Sequence, residues 1–148
     1  MKVKYLEKFY VAGITVRTNN ATELNEETAQ IPQLWQRYID ESIESKTFNK
    51  SNNFAMYGVY NKYEKDVNSD YDYTIGVEVT KFKNAITIEK DRYLVFTKKG
   101  EFPKVAIETW HETWNYFASQ DCAYERVYNF DFEKYIRDDE IEIYISIK

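Results

Sequence analysis

A strand, a helix and two further strands follow one another in the first half of this 148-residue chain, and the same order returns in the second. Phe9–Thr18 is rich in β-branched and aromatic residues and reads as a strand. A polar stretch, 19–30, leads to Pro32, placed to begin a helix, and Leu34, Trp35, Tyr38, Ile39 and Ile43 then recur at helical spacing. Residues 49–53 break that pattern, and strands follow at 54–61 and 71–80 on either side of a charged turn at 64–70. In the second half, 92–97 reads as a strand, and Gly100 and Pro103 lead into a helix striped with Ile107, Trp110, Trp114 and Phe117. Strands at 126–136 and 141–147 close the chain around the turn Arg137-Asp138-Asp139-Glu140. Locally, the run from Leu34 to Ile39 echoes that from Thr113 to Ala118, and the run from Tyr73 to Val79 echoes 141–147. Such self-similarity predicts two βαββ units, about 1–82 and 90–148, within one domain spanning 1–148. The matching architecture is α+β: an antiparallel sheet, two helices packed over it, and a ligand cleft between the halves.

Aromatic residues make up 18% of the chain, with 14 Tyr, 9 Phe and 3 Trp. A buried tyrosine hydroxyl needs a hydrogen-bond partner, so this abundance suits a lined cavity or an interface better than a plain core. A net charge of −5 argues against sequence-independent nucleic-acid binding, which needs basic residues to displace phosphate counterions, and it mildly favours cationic partners. Cys122 is the only cysteine, which excludes an intrachain disulfide. No run approaches the ~18 apolar residues of a membrane span, and the first residues lack a signal-peptide core. The expectation is a cytoplasmic protein with no membrane contact. His111, the single histidine, has no partner nucleophile and reads as an exposed helix residue; Cys122 reads as a small buried residue near a helix end. The glutamate-rich stretch 23–27 reads as a solvated loop. No metal-ligand spacing or phosphate-cradling loop is present, so neither metal nor cofactor is expected.

Glu133 is the candidate centre. It lies in the run Tyr128-Asn129-Phe130-Asp131-Phe132-Glu133-Lys134-Tyr135, shortly after the helix that carries Trp110 and Trp114. A sheltered carboxylate walled by aromatic faces attracts a lipophilic cation, because the charge and the ring quadrupoles act together. Alternation puts Phe130, Phe132, Lys134 and Ile136 on one face of the strand, and Asp131, Glu133 and Tyr135 on the other. With a four-residue turn, Glu133 stands opposite Tyr144; a slip of one residue puts it beside the isoleucine row of the last strand. Trp35, Trp110 and Trp114 read either as core or as walls of the cleft. Among the phenols, Tyr57 and Tyr144 are favoured over Tyr73 to reach the acidic centre. Gly58 and Gly76 interrupt strand patterns, as bulges, as close approaches or as tolerated weak points.

Taken together, these features resemble the GyrI-like family, the effector-binding domain of AraC-type and multidrug-sensing bacterial regulators. The resemblance spans essentially the whole chain. It rests on the paired βαββ order, on Tyr73-Thr74-Ile75-Gly76-Val77-Glu78-Val79, on Phe96-Thr97-Lys98-Lys99-Gly100-Glu101-Phe102, on the tryptophan-bearing helix, and on Phe132-Glu133-Lys134-Tyr135 before a final apolar strand. It implies a cleft that takes bulky, often cationic, aromatic compounds over a buried glutamate, here Glu133, and it makes Trp35, Trp110, Trp114, Tyr57 and Tyr144 the candidate ligand-binding companions. No helix-turn-helix segment accompanies the domain, so the chain resembles the stand-alone members, some of them mobile gene-cassette proteins. The expected role is non-enzymatic binding of a lipophilic cation, as monomer or homodimer, with a separate DNA-binding regulator or another protein as a further partner. Two alternatives remain: a small hydrolase using Glu133 as general base with Tyr57 or Tyr144 as proton donor, and a protein-interaction module of the gyrase-inhibitor type.

Overall fold

The computed structural model describes residues 1–148. Eight strands form one antiparallel sheet: β1 (Lys2–Leu6), β2 (Phe9–Thr18), β3 (Met56–Asn61), β4 (Tyr71–Val79), β5 (Ile86–Ile88), β6 (Asp91–Lys99), β7 (Asp131–Arg137) and β8 (Glu140–Ser146). Their order across the sheet is β1-β6-β8-β7-β3-β4-β2-β5. The two βαββ runs therefore occupy adjacent halves that meet where β7 pairs with β3. The short strands β1 and β5 were not foreseen. Each precedes the first long strand of its own half yet pairs with that of the other half, β1 with β6 and β5 with β2. This exchange of edges ties the halves together and shortens the exposed ends of the sheet.

Four helices, α1 (Asn20–Leu24), α2 (Ile31–Asp40), α3 (Ile43–Lys46) and α4 (Lys104–Ala118), complete the α+β fold. Pro32 lies in the first turn of α2, as its fixed φ favours. Glu23 is not a solvated loop residue: its carboxylate accepts from the backbone N–H groups of Gln30 and Ile31, the otherwise unpaired donors at the start of α2. The pattern that ran through Ile43 is interrupted at Ser42, whose φ of 51° is left-handed; Ile43 opens α3 and still packs beneath α2, whereas Ile39 is exposed.

One sheet face is covered by the helices. Under α2 lie Tyr71, Tyr73 and Ile75; under α4 lie Leu94, Phe96, Ile141, Ile143 and Ile145. The other face curls on itself around Val11, Tyr57, Val59, Tyr93, Phe132 and Tyr144, which makes the sheet a half-barrel with a filled interior. Gly76 sits opposite Gly13 in the curl, where a Cβ at either position would strike the backbone of the facing strand. The buried line of α4 is Val105, Thr109 and Thr113, and both threonine hydroxyls bond back to the carbonyl four residues earlier. Ile107 and Trp114, expected in the helix's packed stripe, are exposed beside that line. No helix is long and apolar enough to cross a membrane.

Candidate functional site

The strand read as 126–136 begins only at Asp131; Tyr128 before it is left-handed at φ 57°. The β7–β8 connection is a two-residue turn, Asp138-Asp139, with an irregularity between Tyr135 and Arg137. The two-residue turn, closing Arg137 on Glu140, keeps the expected parity, and the extra residue on β7 produces the slipped register. Glu133 stands opposite Ile143, and Phe132 opposite Tyr144. The carboxylate is thereby aimed at the helix-covered face, into the groove where α2 and α4 flank the β3–β7 seam. On the other side of Glu133 the partner is Gly58. A Cβ at Gly58 would collide with both Tyr73 Oη and Glu133 Oε1, so the missing side chain is the space that the carboxylate fills.

Glu133 is only 5% exposed. Its Oε1 accepts from the Tyr73 hydroxyl at 2.7 Å, and its Oε2 from the Trp110 indole N–H at 2.7 Å and the Tyr60 hydroxyl at 3.4 Å. Trp35, from the opposite helix, donates its indole N–H to Tyr73 Oη at 3.2 Å. The two helices thus contribute matching indoles to one network, Trp110 directly and Trp35 through a phenol. The sequence echo had aligned Trp35 with Trp114 instead. Trp114 is 41% exposed and reaches the site only as a neighbour of Trp110, ring centres 5.8 Å apart. Tyr60 packs edge-on to Tyr73 and Trp110, and Tyr135 packs against Trp35 and Phe102, so rings surround the carboxylate.

No Lys, Arg or His comes within 4 Å of Glu133, whereas the other fully buried carboxylate, Asp131, has a dedicated partner. Arg126 bonds Asp131 at 2.7 Å, while the Tyr63 hydroxyl and the Ser146 backbone N–H also donate to it. Burial raises the Glu133 carboxyl above its ordinary pKa, and the donors from Tyr73, Trp110, Tyr135 and Tyr60 pull it partly back. The hydroxyls of Tyr60, Tyr73 and Tyr135 are themselves pushed well above the usual phenol range, first by burial and then by the Glu133 charge. They remain neutral donors at any physiological pH.

A hollow of ≈460 Å³ adjoins the network, walled by Trp35, Met56, Phe102 and Tyr135, with Phe54 and Arg137 at its edge. Glu133 does not line this hollow; Tyr135, which does, hydrogen-bonds the carboxylate. Tyr57 and Tyr144 do not reach the acidic centre, because both belong to the opposite face. Tyr57 Oη receives the Asn53 amide, and the Tyr144 hydroxyl donates to Glu142. The one-residue register shift accounts for that reversal and for the missed roles of Tyr73 and Tyr60. His111 is exposed beside Trp114, and Cys122 is half-buried just past α4. No group of three or more His, Cys, Asp and Glu side chains is placed to hold a metal ion.

Residues 2–147 match the model of a family described as integron-associated effector binding proteins. An integron cassette protein of Vibrio cholerae is 31% identical, with a TM-score of 0.84 over 99% of this chain and 95% of that one. The Bacillus subtilis protein YobU, whose name carries a provisional assignment as a transcriptional regulator, is 26% identical over 99% of this chain and 96% of its own. SAV2435, solved with tetraphenylphosphonium bound, shares the fold at 21% identity and a TM-score of 0.77, over 99% of this chain and 93% of that one.

Proposed function

The chain belongs to the family of integron-associated effector binding proteins, and from that premise we propose that it captures bulky lipophilic cations between α2 and α4, with Glu133 as the counter-charge. The observation that carries this reading is the contrast between two buried carboxylates. Asp131 has its own arginine; Glu133 has only neutral donors. A buried charge balanced by dipoles alone gains most from a cation that brings little hydration of its own. The adjoining hollow is of the size that small-molecule sites use, roughly 300–1,000 Å³. Tyr135 lines the hollow and lies against Glu133, so in this proposal its ring must turn aside for the cation to meet the carboxylate. Tetraphenylphosphonium, the ligand of the fold neighbour SAV2435, has the chemistry this arrangement suits.

Binding is favoured over hydrolysis. Donors already occupy both oxygens of Glu133, which leaves them poorly placed to take a proton from water, and phenols so strongly held neutral are weak acids. The test is a pair of probes of one shape and opposite sign. Tetraphenylphosphonium is expected to quench the fluorescence of Trp35 and Trp110 saturably, and tetraphenylborate is expected not to. Equal binding of the anion would refute the proposal.

A further inference from the structure

Two adjacent loops carry exposed phenylalanines, each bracketed by lysines: Lys46-Thr47-Phe48-Asn49-Lys50 at the end of α3, and Lys81-Phe82-Lys83 between β4 and β5. Phe48 is 85% exposed and Phe82 71%, and all four lysines are exposed. The backbone pins the loops together. Lys50 bridges Val79, and Asn49 O accepts from the Thr80 N–H at 2.9 Å and from the Thr80 hydroxyl at 3.3 Å. Each loop turns through a left-handed asparagine, Asn49 at φ 61° and Asn84 at φ 58°, a residue type that tolerates this conformation. The Ala85 N–H closes the second turn on Phe82 O at 3.1 Å. Both phenylalanines therefore stand on hydrogen-bonded backbone.

Neither 46–53 nor 79–88 contains an Asp or Glu, although the chain as a whole carries a net charge of −5. None of the four lysines has a carboxylate within 4 Å; Lys50 Nζ finds only the Glu44 backbone carbonyl, at 3.2 Å. Lys8 lies 5.9 Å over the Tyr10 ring, which meets the Phe82 ring at 6.4 Å, and adds a fifth cation without an ion pair. Leu24, 80% exposed, sits by contrast among Glu23, Glu26 and Glu27. We propose that the paired loops form a peripheral docking surface for an anionic lipid bilayer, with Phe48 and Phe82 entering the headgroup layer and the lysines meeting lipid phosphates. Phenyl rings on separate turns, with no hydrogen-bonding edge, suit partial insertion better than they suit the stacking platform of a single-stranded nucleic acid. Such contact needs no spanning segment, so the lack of one does not oppose it. Lipophilic cations gather at the same kind of surface, which would place the domain where its proposed ligands are concentrated. The loops lie apart from Glu133, and the docking proposal stands independently of the cation-binding reading.

The test is flotation of the whole chain with vesicles of phosphatidylcholine alone, or of phosphatidylcholine and phosphatidylglycerol in equal parts. Binding is expected to the anionic vesicles only, and it should weaken as salt is raised. Lys50→Gln and Lys81→Gln should each lower the partition coefficient about fivefold, the loss of one lysine near an anionic surface. Phe48→Ser and Phe82→Ser should each lower it about tenfold, the loss of one partly buried ring. All four variants should melt close to the parent, since the altered side chains are exposed. Leu24→Ser, which removes an exposed apolar side chain from acidic surroundings, should leave vesicle binding unchanged. Absence of binding to the anionic vesicles, equal binding to the neutral ones, an equal loss in Leu24→Ser, or full binding by the variant lacking both phenylalanines would overturn the proposal. Binding of a single-stranded oligonucleotide in place of the vesicles would overturn it as well.

Discussion

Replacing Glu133 with glutamine removes one charge at nearly constant shape, and the structure gives opposite signs for its two consequences. A carboxyl whose folded pKa lies above its unfolded value contributes stability that is fully present below the ordinary value of 4.5 and lost as pH rises through the folded value. At neutral pH the ionised, unpaired group is therefore a net cost to the fold, and Glu133→Gln lifts that cost. The amide can still accept from Trp110 through its oxygen, and its NH₂ can donate to Tyr73 Oη if that hydroxyl turns; a mismatch there costs about 1 kcal/mol. The variant should thus melt no lower than the parent at neutral pH, and the comparison should turn in the parent's favour in acid. Binding moves the other way. A cation centred about 5 Å from the carboxylate, at an effective dielectric constant of about 20, is held by roughly 3 kcal/mol. Losing that interaction weakens binding by about 150-fold. Fluorescence titration with tetraphenylphosphonium measures this directly, with triphenylphosphine oxide as an uncharged control whose affinity should stay near constant. A variant that bound the cation within about threefold of the parent would refute the reasoning, as would one that melted well below it at neutral pH.

Two other substitutions probe how the site is held. Gly58→Ala should destabilise the protein by about 3 kcal/mol and abolish cation binding, because the new Cβ must displace the contact between Tyr73 and Glu133; thermal melting checks the first outcome, and an unchanged melting temperature would contradict it. Arg126→Ala strands the buried Asp131 carboxylate and should cost about 3–5 kcal/mol in denaturant unfolding, in contrast to the mild effect of Glu133→Gln.

Much of the fold was legible because its long elements carry strong local signals. Strand Phe9–Thr18, the last strand and the two amphipathic helices follow from alternation, helical spacing and Pro32. The short β1 and β5 were missed because their pairing is with the opposite half, a tertiary relation that leaves little trace in five or three residues. Glu133 stood out as an acid among aromatic residues, but its companions depended on a parity that sequence could not fix. One irregular position near Ile136 decides whether Tyr73 or Tyr144 shares its face. The helix stripe was also real but misplaced. Thr109 and Thr113 occupy the packed line by satisfying their own hydroxyls within the helix, which leaves Trp110 free to reach Glu133. Gly58, read as one of several possible interruptions, owes its place to the carboxylate across the seam.

The titration of a single carboxyl group decides whether a sheltered, uncompensated charge underlies the site. With side-chain-labelled glutamate, and the resonance assigned by its absence in Glu133→Gln, carbon NMR follows the Glu133 carboxyl as pH is varied, with and without tetraphenylphosphonium. The account predicts a midpoint above the ordinary 4.5 in the free protein and a clear fall when the cation is bound. An ordinary midpoint that the cation leaves unmoved would contradict it.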